Sequence, residues 1–491
     1  MDNWLAMRRL SDDPSFVATT HRAAGTDSAK TPTNHATVPV SSLPTQEKPV
    51  VHADSQPAFK RLSFNTYQEA LSAIATVDKV IYLAFFDYGA HDMGINFVLT
   101  SVLPHNIMSI LFISSDPTLC EELQTMSVAC FFYMENKHSD QPAAYGGREF
   151  NEKMNIRTFM ILEALELGYN VIQTDVDMFF YKDPLSTILT ECAPKLCDIA
   201  PLNDNGLRSM NAGFLFVRNT SFGIAVYREM KAMALNHTDK NDQQALNYVV
   251  RVLRRSGLKA VVLSEKKFIS GGLFFKERKF HPDEMCAECL VAHNNWIIGI
   301  DSKEYRFKEL HMWMVDNGGY YSNPDAKYLT YKNDRFFGNE ESTWRRELAA
   351  LCHALAIGEI LNRTLILPRP HTVNKTTLLY YTNPSKFRIL FGNRYRESTF
   401  LSHPLTSERI KSSTSKPVKL VSDQTEKRHN ASVKIISEKS VLAQCGGRQE
   451  PVLHFESLYD ANILCTDPTR LDLRDRCKLT FLKCKQARHK D

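Results

Sequence analysis

The chain has 491 residues, of which 43% are hydrophobic and 10% aromatic, values typical of a globular protein with two or three domains. Its 60 basic and 55 acidic side chains leave a net charge of only +5 and form no basic stripe, which argues against a nucleic-acid partner. Residues 12–56 are rich in Ser, Thr, Pro, Ala and His without periodic apolar positions, so we predict that residues 1–59 form a disordered stem.

Signals for the secretory pathway are mixed. Residues 1–59 contain no apolar run long enough for a signal peptide or a membrane anchor, and no later run reaches about 18 apolar residues. Glycosylation sequons fit a secretory chain, however, and lie at Asn219, Asn236, Asn362, Asn374 and Asn430.

The chain has eleven cysteines, so at least one is unpaired. Cys286 and Cys289 form a C-x-x-C pair, but no second close pair at zinc-finger spacing accompanies it, which favours disulfides or buried thiols over zinc. A C-terminal group suited to disulfides in an oxidising compartment comprises Cys445, Cys465, Cys477 and Cys484.

The first ordered elements alternate between helix and strand. The predicted helices are Tyr67–Ile74 and Asn96–Leu103, and the predicted strands are Lys79–Phe86, Ile107–Ile113 and Val128–Tyr133. Such alternation predicts an α/β domain with a mostly parallel sheet. Asp87 and Tyr88 follow the first strand, where nucleotide-binding domains often line the base and ribose, so Tyr88 either stacks on a ligand or covers the sheet edge.

An acidic pair follows the next strand. Apolar residues at helical spacing predict a helix that ends at Gly168, and Tyr169–Thr174 predicts a buried strand. Asp175 and Asp177 then point to the same side, where a parallel sheet places its ligands. Two carboxylates about 4 Å apart repel by roughly 1 kcal/mol in water and roughly 4 kcal/mol at a protein surface. A divalent Mn²⁺ or Mg²⁺ ion would remove this repulsion, whereas the alternative is a solvated acidic turn.

The flanking segments supply further candidates. Lys153 and Arg157 share one helix face and either meet a diphosphate or remain solvated. The predicted strand Met210–Val217 is entered through Asn211, Ala212 and Gly213, whose small side chains either leave room for a sugar or, for Gly213, serve strand packing.

Two helices and three strands complete this region. The helices are Phe222–Leu235 and Asp242–Leu253, and the strands are Ala260–Leu263, Phe268–Phe275 and Cys289–His293. Asp242 and Gln243 open the second helix, where Asn or Asp would cap a helix in any protein. His293 ends the last strand and is either a third candidate metal ligand or a satisfied surface or core residue, and Lys303 follows it as a flexible cation that is often only solvated.

The D-V-D triplet, the apolar residues around it and the Lys-Asp-Pro turn at 182–184 resemble the signature of the nucleotide-diphospho-sugar transferases of glycosyltransferase family 77. The resemblance covers roughly Lys79–Trp313 and implies a GT-A-type, Rossmann-like mixed sheet flanked by helices. It implies donor contacts from the Asn211–Gly213 segment, an acceptor side at Asp242 and Gln243, and His293 as a third metal ligand. The residues expected to bind the donor are therefore Asp87, Tyr88, Lys153, Arg157, Asp175, Asn211, Ala212, Gly213 and Lys303.

We accordingly expect three parts: a stem at residues 1–59, a GT-A domain at 60–316 and a smaller α/β or mixed domain at 317–491. In the last part the predicted helix Trp344–Leu361 and the strand after Asn362 look like the start of fucosyltransferase-like α/β folds.

The predicted function is metal-dependent transfer of galactose, xylose or arabinose from a UDP-sugar to a glycan or glycoprotein hydroxyl. The family resemblance implies retention of configuration, and because no nucleophilic carboxylate stands out, front-face attack is favoured. It also implies a Golgi enzyme with an N-terminal anchor, from which this sequence departs. The alternatives are a non-catalytic sugar-binding protein on the same fold and a metal-dependent phosphohydrolase, which would need more carboxylates around two metals.

Overall fold

The computed structural model describes residues 64–133, 147–204, 209–236, 241–278, 280, 285–332, 338–369, 384–428, 431–459 and 461–464. The predicted stem and the cysteines 465, 477 and 484 lie outside these residues.

The described elements alternate through most of the chain. The strands are β1 (Val80–Phe85), β2 (Ile110–Ser114), β3 (Ala129–Phe132), β4 (Asn170–Thr174), β5 (Met178–Phe180), β6 (Ile199–Asn203), β7 (Met210–Val217), β8 (Phe268–Ile269), β9 (Val291–His293), β10 (Tyr328–Tyr331), β11 (Thr364–Ile366), β12 (Tyr395–Arg396), β13 (Gln424–Arg428), β14 (Ala431–Ser437), β15 (Val452–Phe455) and β16 (Ala461–Leu464). The α-helices are α1 (Tyr67–Ile74), α2 (His91–Phe97), α3 (Pro117–Thr125), α4 (Arg148–Glu166), α5 (Leu185–Cys192), α6 (Ser221–Asn236), α7 (Asp242–Leu253), α8 (Ile300–Glu309), α9 (Glu340–Leu361), α10 (Pro384–Phe391), α11 (Glu408–Ser412) and α12 (Glu438–Cys445).

A six-stranded mixed sheet with the order β3-β2-β1-β4-β7-β6 organises the first half. The pairs β3–β2, β2–β1 and β1–β4 are parallel, whereas β7 runs antiparallel to both β4 and β6. The predicted α/β class with a mixed sheet flanked by helices is therefore confirmed. The direction of β7 matters for the site, because it brings the start of β7 beside the end of β4.

Both faces of this sheet are covered. Along β1, Tyr82 belongs to one apolar cluster and Leu83 to another, because successive side chains of a strand point to opposite faces. The first cluster includes Phe97 and Leu119 from one set of helical segments, and the second includes Ile161 from α4. The sheet thus lies between two buried layers, as expected for parallel strands that are apolar on both faces.

A second, smaller sheet has the strand order β5-β9-β8. Strand β5 pairs antiparallel with β9, and Met178 is opposite His293. The Asn294 N–H also donates to the Asp177 carbonyl oxygen at 2.9 Å. This pairing places the end of β9 directly beside the residues that follow β4.

Two predicted strands are wrong. Residues Ala260–Leu263 form only one isolated bridge, between Ala260 and Ile199, at the edge of the main sheet. The predicted strand Phe268–Phe275 ends at Ile269 and gives way to a π-helical segment at Gly272–Arg278. The change coincides with a close backbone approach at Gly271, where a Cβ would lie 2.7 Å from the carbonyl oxygen of His293, so only glycine fits.

The other predicted elements are confirmed with shifted ends. The predicted helix Asn96–Leu103 starts earlier, at His91, and continues as a π-helical turn over Val98–Val102. Helices Tyr67–Ile74 and Asp242–Leu253 and strand Met210–Val217 have the predicted bounds.

The C-terminal part contains a parallel sheet with the order β12-β11-β10-β15 and a three-stranded sheet, β13-β14-β16. Helix α9 connects β10 to β11. The helix predicted at Trp344–Leu361 and the strand predicted after Asn362 correspond to α9 and β11. The stretch 386–439 is too polar for its composition to predict continuous structure, yet it contains regular elements anchored by buried residues such as Phe387 and Phe400. The boundary at residues 316 and 317 stays a prediction.

Three disulfides lie among the described residues: Cys120–Cys130, Cys192–Cys197 and Cys286–Cys289. The preference for a disulfide over zinc at the C-x-x-C pair is thereby confirmed. Cys445 is buried and free. Among the helices of the described residues, none combines the length and the apolar character that crossing a membrane requires.

Candidate functional site

The two carboxylates of the D-V-D triplet meet a histidine from a distant strand. Ligand atoms of Asp175, Asp177 and His293 all lie within 4.8 Å of one another. The His293 Nε2 atom is 3.3 Å from Asp177 Oδ1 and 3.7 Å from Asp175 Oδ2. The pairing of β5 with β9 produces this arrangement, and these three residues could hold a divalent metal ion.

Gly213 gives this cluster its space. Its carbonyl oxygen accepts from the Asp175 N–H at 2.7 Å, so the backbone of β7 runs directly beside the acidic pair. A Cβ at Gly213 would meet Asp175 Oδ2, His293 Cε1 at 2.5 Å and Asn211 Oδ1 at 2.9 Å. Any side chain here would therefore occupy the volume in which the carboxylate and the imidazole converge.

Lys303 is part of the same charge cluster. Its Nζ atom lies 2.8 Å from Asp177 Oδ2. Burial raises the pKa of Asp177, but Lys303 and His293 lower it by more, so the net pKa lies well below its usual range. Burial lowers the pKa values of both His293 and Lys303, but the carboxylates outweigh this effect and both net values are raised.

The donor set fits a hard or borderline divalent cation. Two carboxylates and one imidazole nitrogen are ligands that Mn²⁺ and Mg²⁺ accept, with phosphate oxygens free to complete the coordination. The second ring nitrogen of His293, Nδ1, is buried and has no hydrogen-bond partner among the described residues, so Nε2 is the ring atom that faces the carboxylates.

Arg157 is buried. The alternative in which it lies on a solvated face of the helix is therefore wrong. Its guanidinium forms ion pairs with Asp175 through Nη1 and with Asp242 through Nη2. Burial lowers the pKa of Arg157, and the two carboxylates raise it by more. The residue thereby joins the acidic pair of β4 to the start of α7.

Lys153, one turn earlier on α4, forms an ion pair with Asp87 at the end of β1. These two predicted donor-binding residues therefore lie together. Tyr88 is 45% exposed, and its ring centroid lies 5.2 Å from that of His91. Its ring is thus available at the surface, and its role as a stacking face stays a prediction.

Helix α7 is capped by Asn241, not by Asp242. The Asn241 side chain accepts from the Gln244 N–H at 2.9 Å, and the Gln244 side chain accepts from the Asn241 N–H at 3.2 Å. Gln243 instead turns toward β7, where its Oε1 atom accepts from the Ala212 N–H at 3.2 Å and from Asn211 Nδ2 at 3.3 Å. Asn211, Ala212 and Gln243 are therefore neighbours, as the donor and acceptor assignments require.

Sequence reasoning missed Asp204. Its Oδ1 atom accepts from Asn295 Nδ2 and from the Trp296 indole N–H, each at 2.9 Å, and its Oδ2 atom accepts from Gln243 Nε2 at 3.4 Å. The available signal was an Asp directly after the apolar strand β6, the same position that Asp175 occupies after β4.

A family model described as "Nucleotide-diphospho-sugar transferase" matches residues 105–307. Residues 105–307 therefore resemble this family, and the match covers less than half of the chain. The match spans β2 to α8 and therefore includes the Asp175, Asp177, His293 cluster and the segment Asn211–Gly213. The resemblance predicted from the D-V-D context is confirmed for residues 105–307.

Curated proteins similar to this chain include the UDP-D-xylose:L-fucose alpha-1,3-D-xylosyltransferase 3 of Arabidopsis thaliana, which is 30% identical over 35% of this chain and 50% of its own. A beta-arabinofuranosyltransferase of the same plant is 24% identical over 51% of this chain and 50% of its own. The chain thus spans about half the length of the curated relatives it matches. Among solved structures, the glycosyltransferase GlyE of Streptococcus pneumoniae is 13% identical, covering 82% of this chain and 100% of its own, with a TM-score of 0.34.

Proposed function

We propose that this protein is a metal-dependent, retaining glycosyltransferase that moves a sugar from a UDP-sugar to a hydroxyl of a glycan or glycoprotein. The observation that carries the proposal is the convergence of Asp175, Asp177 and His293 within 4.8 Å at the end of β4. This is the edge where α/β sheets place their ligands. The family match supports the nucleotide-sugar donor.

Asp175, Asp177 and His293 would hold Mn²⁺ or Mg²⁺. When bound, the cation supplies positive charge against the diphosphate of the donor. Lys303 adds a fixed ammonium at the same place, since its Nζ atom already lies 2.8 Å from Asp177 Oδ2. A preorganised positive charge of this kind stabilises the negative charge that develops on the leaving diphosphate.

The remaining site residues bind and orient. Arg157 orients both Asp175 and Asp242 through ion pairs, of which the one with Asp242 is buried. Gln243 contacts the backbone of Ala212 and thereby places the start of α7 beside the glycine-lined end of β7. The absence of a side chain at Gly213 lets the Asp175 carboxylate and the His293 imidazole converge against the backbone of β7, where the donor diphosphate would meet the cation.

In the proposed reaction, the bond between the anomeric carbon and the diphosphate oxygen breaks, and a bond from that carbon to the acceptor oxygen forms on the same face. The acceptor proton passes to the leaving phosphate oxygen, which yields the glycoside and UDP. Asp242 is engaged by the buried Arg157, so we assign it an orienting role and not that of a nucleophile.

The sugars follow from the relatives. Their names point to xylose and arabinose donors and, for the xylosyltransferases, to an L-fucose acceptor. Galactose stays a further candidate donor. The three disulfides support folding in an oxidising compartment, consistent with the proposed Golgi location.

The test is an activity assay on the purified chain with UDP-xylose, UDP-arabinose and UDP-galactose, each with methyl α-L-fucoside or with a glycoprotein extract. We expect Mn²⁺-dependent release of UDP together with a new glycoside, and loss of both in EDTA. The anomeric configuration of the product, read by NMR, checks retention.

Two other outcomes would overturn the proposal. Tight binding of UDP and Mn²⁺ in titration calorimetry without turnover of any donor would favour a non-catalytic binding protein. Release of inorganic phosphate from UDP instead of sugar transfer would favour a phosphohydrolase.

A further inference from the structure

Trp296 stands three residues after His293 and has an unusual backbone. Its φ is +59°, a region that bulky residues adopt only where their surroundings impose it. The surroundings here are specific. The Trp296 indole N–H donates to Asp204 Oδ1 at 2.9 Å, and a Cβ on Gly272 would lie 3.3 Å from indole atoms Cδ1 and Cγ. Lack of a side chain at Gly272 therefore lets the backbone lie against the indole.

The preceding residue, Asn295, is held by two hydrogen bonds of its side-chain amide. Asn295 Oδ1 accepts from the Gly271 N–H at 2.6 Å, and Asn295 Nδ2 donates to Asp204 Oδ1 at 2.9 Å. Lys276 lies on the same π-helical segment as Gly272, with its Nζ atom 5.7 Å from the Trp296 ring centroid. The π-helical segment Gly272–Arg278 thus packs against the indole ring, and the Asp204 carboxylate accepts the hydrogen bond from the indole N–H.

Despite this fixation, Trp296 remains partly exposed. Trp313 shows the contrast: it is 2% exposed, sits in the apolar core, and donates its indole N–H to a backbone carbonyl at 2.9 Å. A tryptophan that serves only packing gains most by such burial. Trp296 is instead held in a strained conformation with part of its surface left open.

Asp204 connects this indole to the reacting region. Its Oδ1 atom holds Trp296, and its Oδ2 atom accepts from Gln243 Nε2 at 3.4 Å. Gln243 in turn contacts the backbone of Ala212, beside Gly213 and the acidic pair. The position of the indole is therefore tied to the position of the proposed sugar-transfer site.

We infer that the acceptor sugar stacks on the indole ring of Trp296. Asp204 is the positioning residue that fixes this indole relative to Gln243. The ligand class is a neutral pyranoside, whose C–H face packs on an indole while its hydroxyls remain free for polar groups. The inference rests on the proposed function, because it names how the same site recognises its acceptor.

The experiment compares Trp296→Ala, Trp296→Phe and the wild type in the transfer assay, with Tyr248→Ala as a matched control for loss of an exposed aromatic, since Tyr248 is 56% exposed on α7. We expect Trp296→Ala to raise the acceptor KM by about tenfold or more, as for truncation of a tryptophan anchor, and to change the UDP affinity in calorimetry by less than about threefold. Trp296→Phe keeps a flat apolar ring without the N–H and should have an intermediate effect.

Asp204→Ala tests the positioning role. It should raise the acceptor KM in the same direction as Trp296→Ala, and the double variant should show little further increase because both changes remove one arrangement. Melting temperatures measured on each sample identify any loss of folded protein. Equal weakening of UDP and acceptor binding, or an acceptor KM within twofold of the wild type, would overturn the inference.

A binding assay separates this inference from the proposed function. Tryptophan fluorescence is followed while methyl glycosides of fucose, galactose, xylose and arabinose are added to the wild type and to Trp296→Phe. A saturable change in the wild type that the variant lacks supports the platform even where no sugar is transferred. The same titration curve in both proteins, or no change with any glycoside, overturns it.

Discussion

The Lys303 ammonium lies 2.8 Å from Asp177 Oδ2, so an ammonium occupies one side of a carboxylate whose other oxygen is 3.3 Å from His293 Nε2. This pair explains how a buried aspartate, only 4% exposed, stays ionised beside a second carboxylate. It also means that Asp177 has two functions, as a candidate ligand and as the counter-ion of Lys303.

Asp177→Asn tests the first function with little change in shape. We expect Mn²⁺ affinity to fall by about 10 to 100-fold or more, because even loss of a group that only supports a ligand has an effect of that size. Titration calorimetry with Mn²⁺ and UDP measures it, and EDTA should reproduce the loss in the wild type. Asp301→Asn, on the exposed start of α8, is the control and should bind as the wild type does. Unchanged Mn²⁺ affinity in Asp177→Asn would remove this residue from the site.

His293→Ala should weaken Mn²⁺ binding and remove much of its pH dependence. An imidazole must be neutral to bind a metal. Because the net pKa of His293 is raised above 6.5 by Asp177 and Asp175, which outweigh burial, protons compete with the metal into the range above pH 6.5. The apparent Mn²⁺ affinity of the wild type should therefore fall as the pH is lowered through that range.

The measurement is Mn²⁺ titration at several pH values on samples whose melting temperatures are also recorded. If His293 only supports packing, the variant will melt at a lower temperature and bind Mn²⁺ with the pH profile of the wild type.

Gly213→Ala should disable the site without unfolding the protein. The added methyl group would meet Asp175, His293 and Asn211, all within 3 Å of its ideal position. The side chains must shift, so we expect Mn²⁺ and UDP affinity to fall by at least about tenfold. Gly447→Ala, where nothing lies within 4 Å of the added atom, is the matched control. Equal affinities in the two variants would show that the space at Gly213 is not used.

Arg157→Met should cost about 3–5 kcal/mol of unfolding free energy, because it leaves the buried Asp242 without its partner. Arg228→Met is the control. Its ion pair with Glu166 is exposed, with side chains 62% and 42% accessible, so its loss should cost at most about 1 kcal/mol. Urea unfolding of both variants gives the comparison, and similar stabilities would contradict the structural role of Arg157.

The buried carboxyl group of Glu309 should make the stability of the fold depend on pH. Burial raises its pKa to about 7, although hydrogen bonds from Ser398 and Tyr305 act in the opposite direction. A raised folded pKa means that this contribution is full below about pH 4.5 and is lost as the pH rises to about 7 and above. The size is on the order of 3 kcal/mol.

Glu309→Gln should therefore flatten the fall in melting temperature between pH 5 and pH 7.5. Glu408→Gln is the control, because the Glu408 side chain is 86% exposed. A wild-type slope that persists unchanged in Glu309→Gln would assign the pH dependence to other groups.

Much of the first half was readable from local pattern. Helix Asp242–Leu253 and strand Met210–Val217 have the predicted bounds, because the helix buries one continuous face and the strand is buried at every position. The acidic pair could be placed at a strand end because the apolar run before Asp175 predicts the strand. The failed strand Phe268–Phe275 has an equally apolar composition but ends at Ile269, next to the point where Gly271 packs against the His293–Asn295 backbone, a contact between distant segments that local pattern does not contain.

The sequence by itself therefore determined the elements and the candidates that lie within one element or directly after it, such as Asp175 and Asp177. Only the tertiary structure decided which residues meet. The pairing of Met178 with His293 brings the histidine to the acidic pair, and the bonds from Asp204 join Gln243 to Trp296. Periodicity reflects the face that an element buries, whereas contacts between distant segments depend on strand pairing and on hydrogen bonds that close only when the whole sheet has formed.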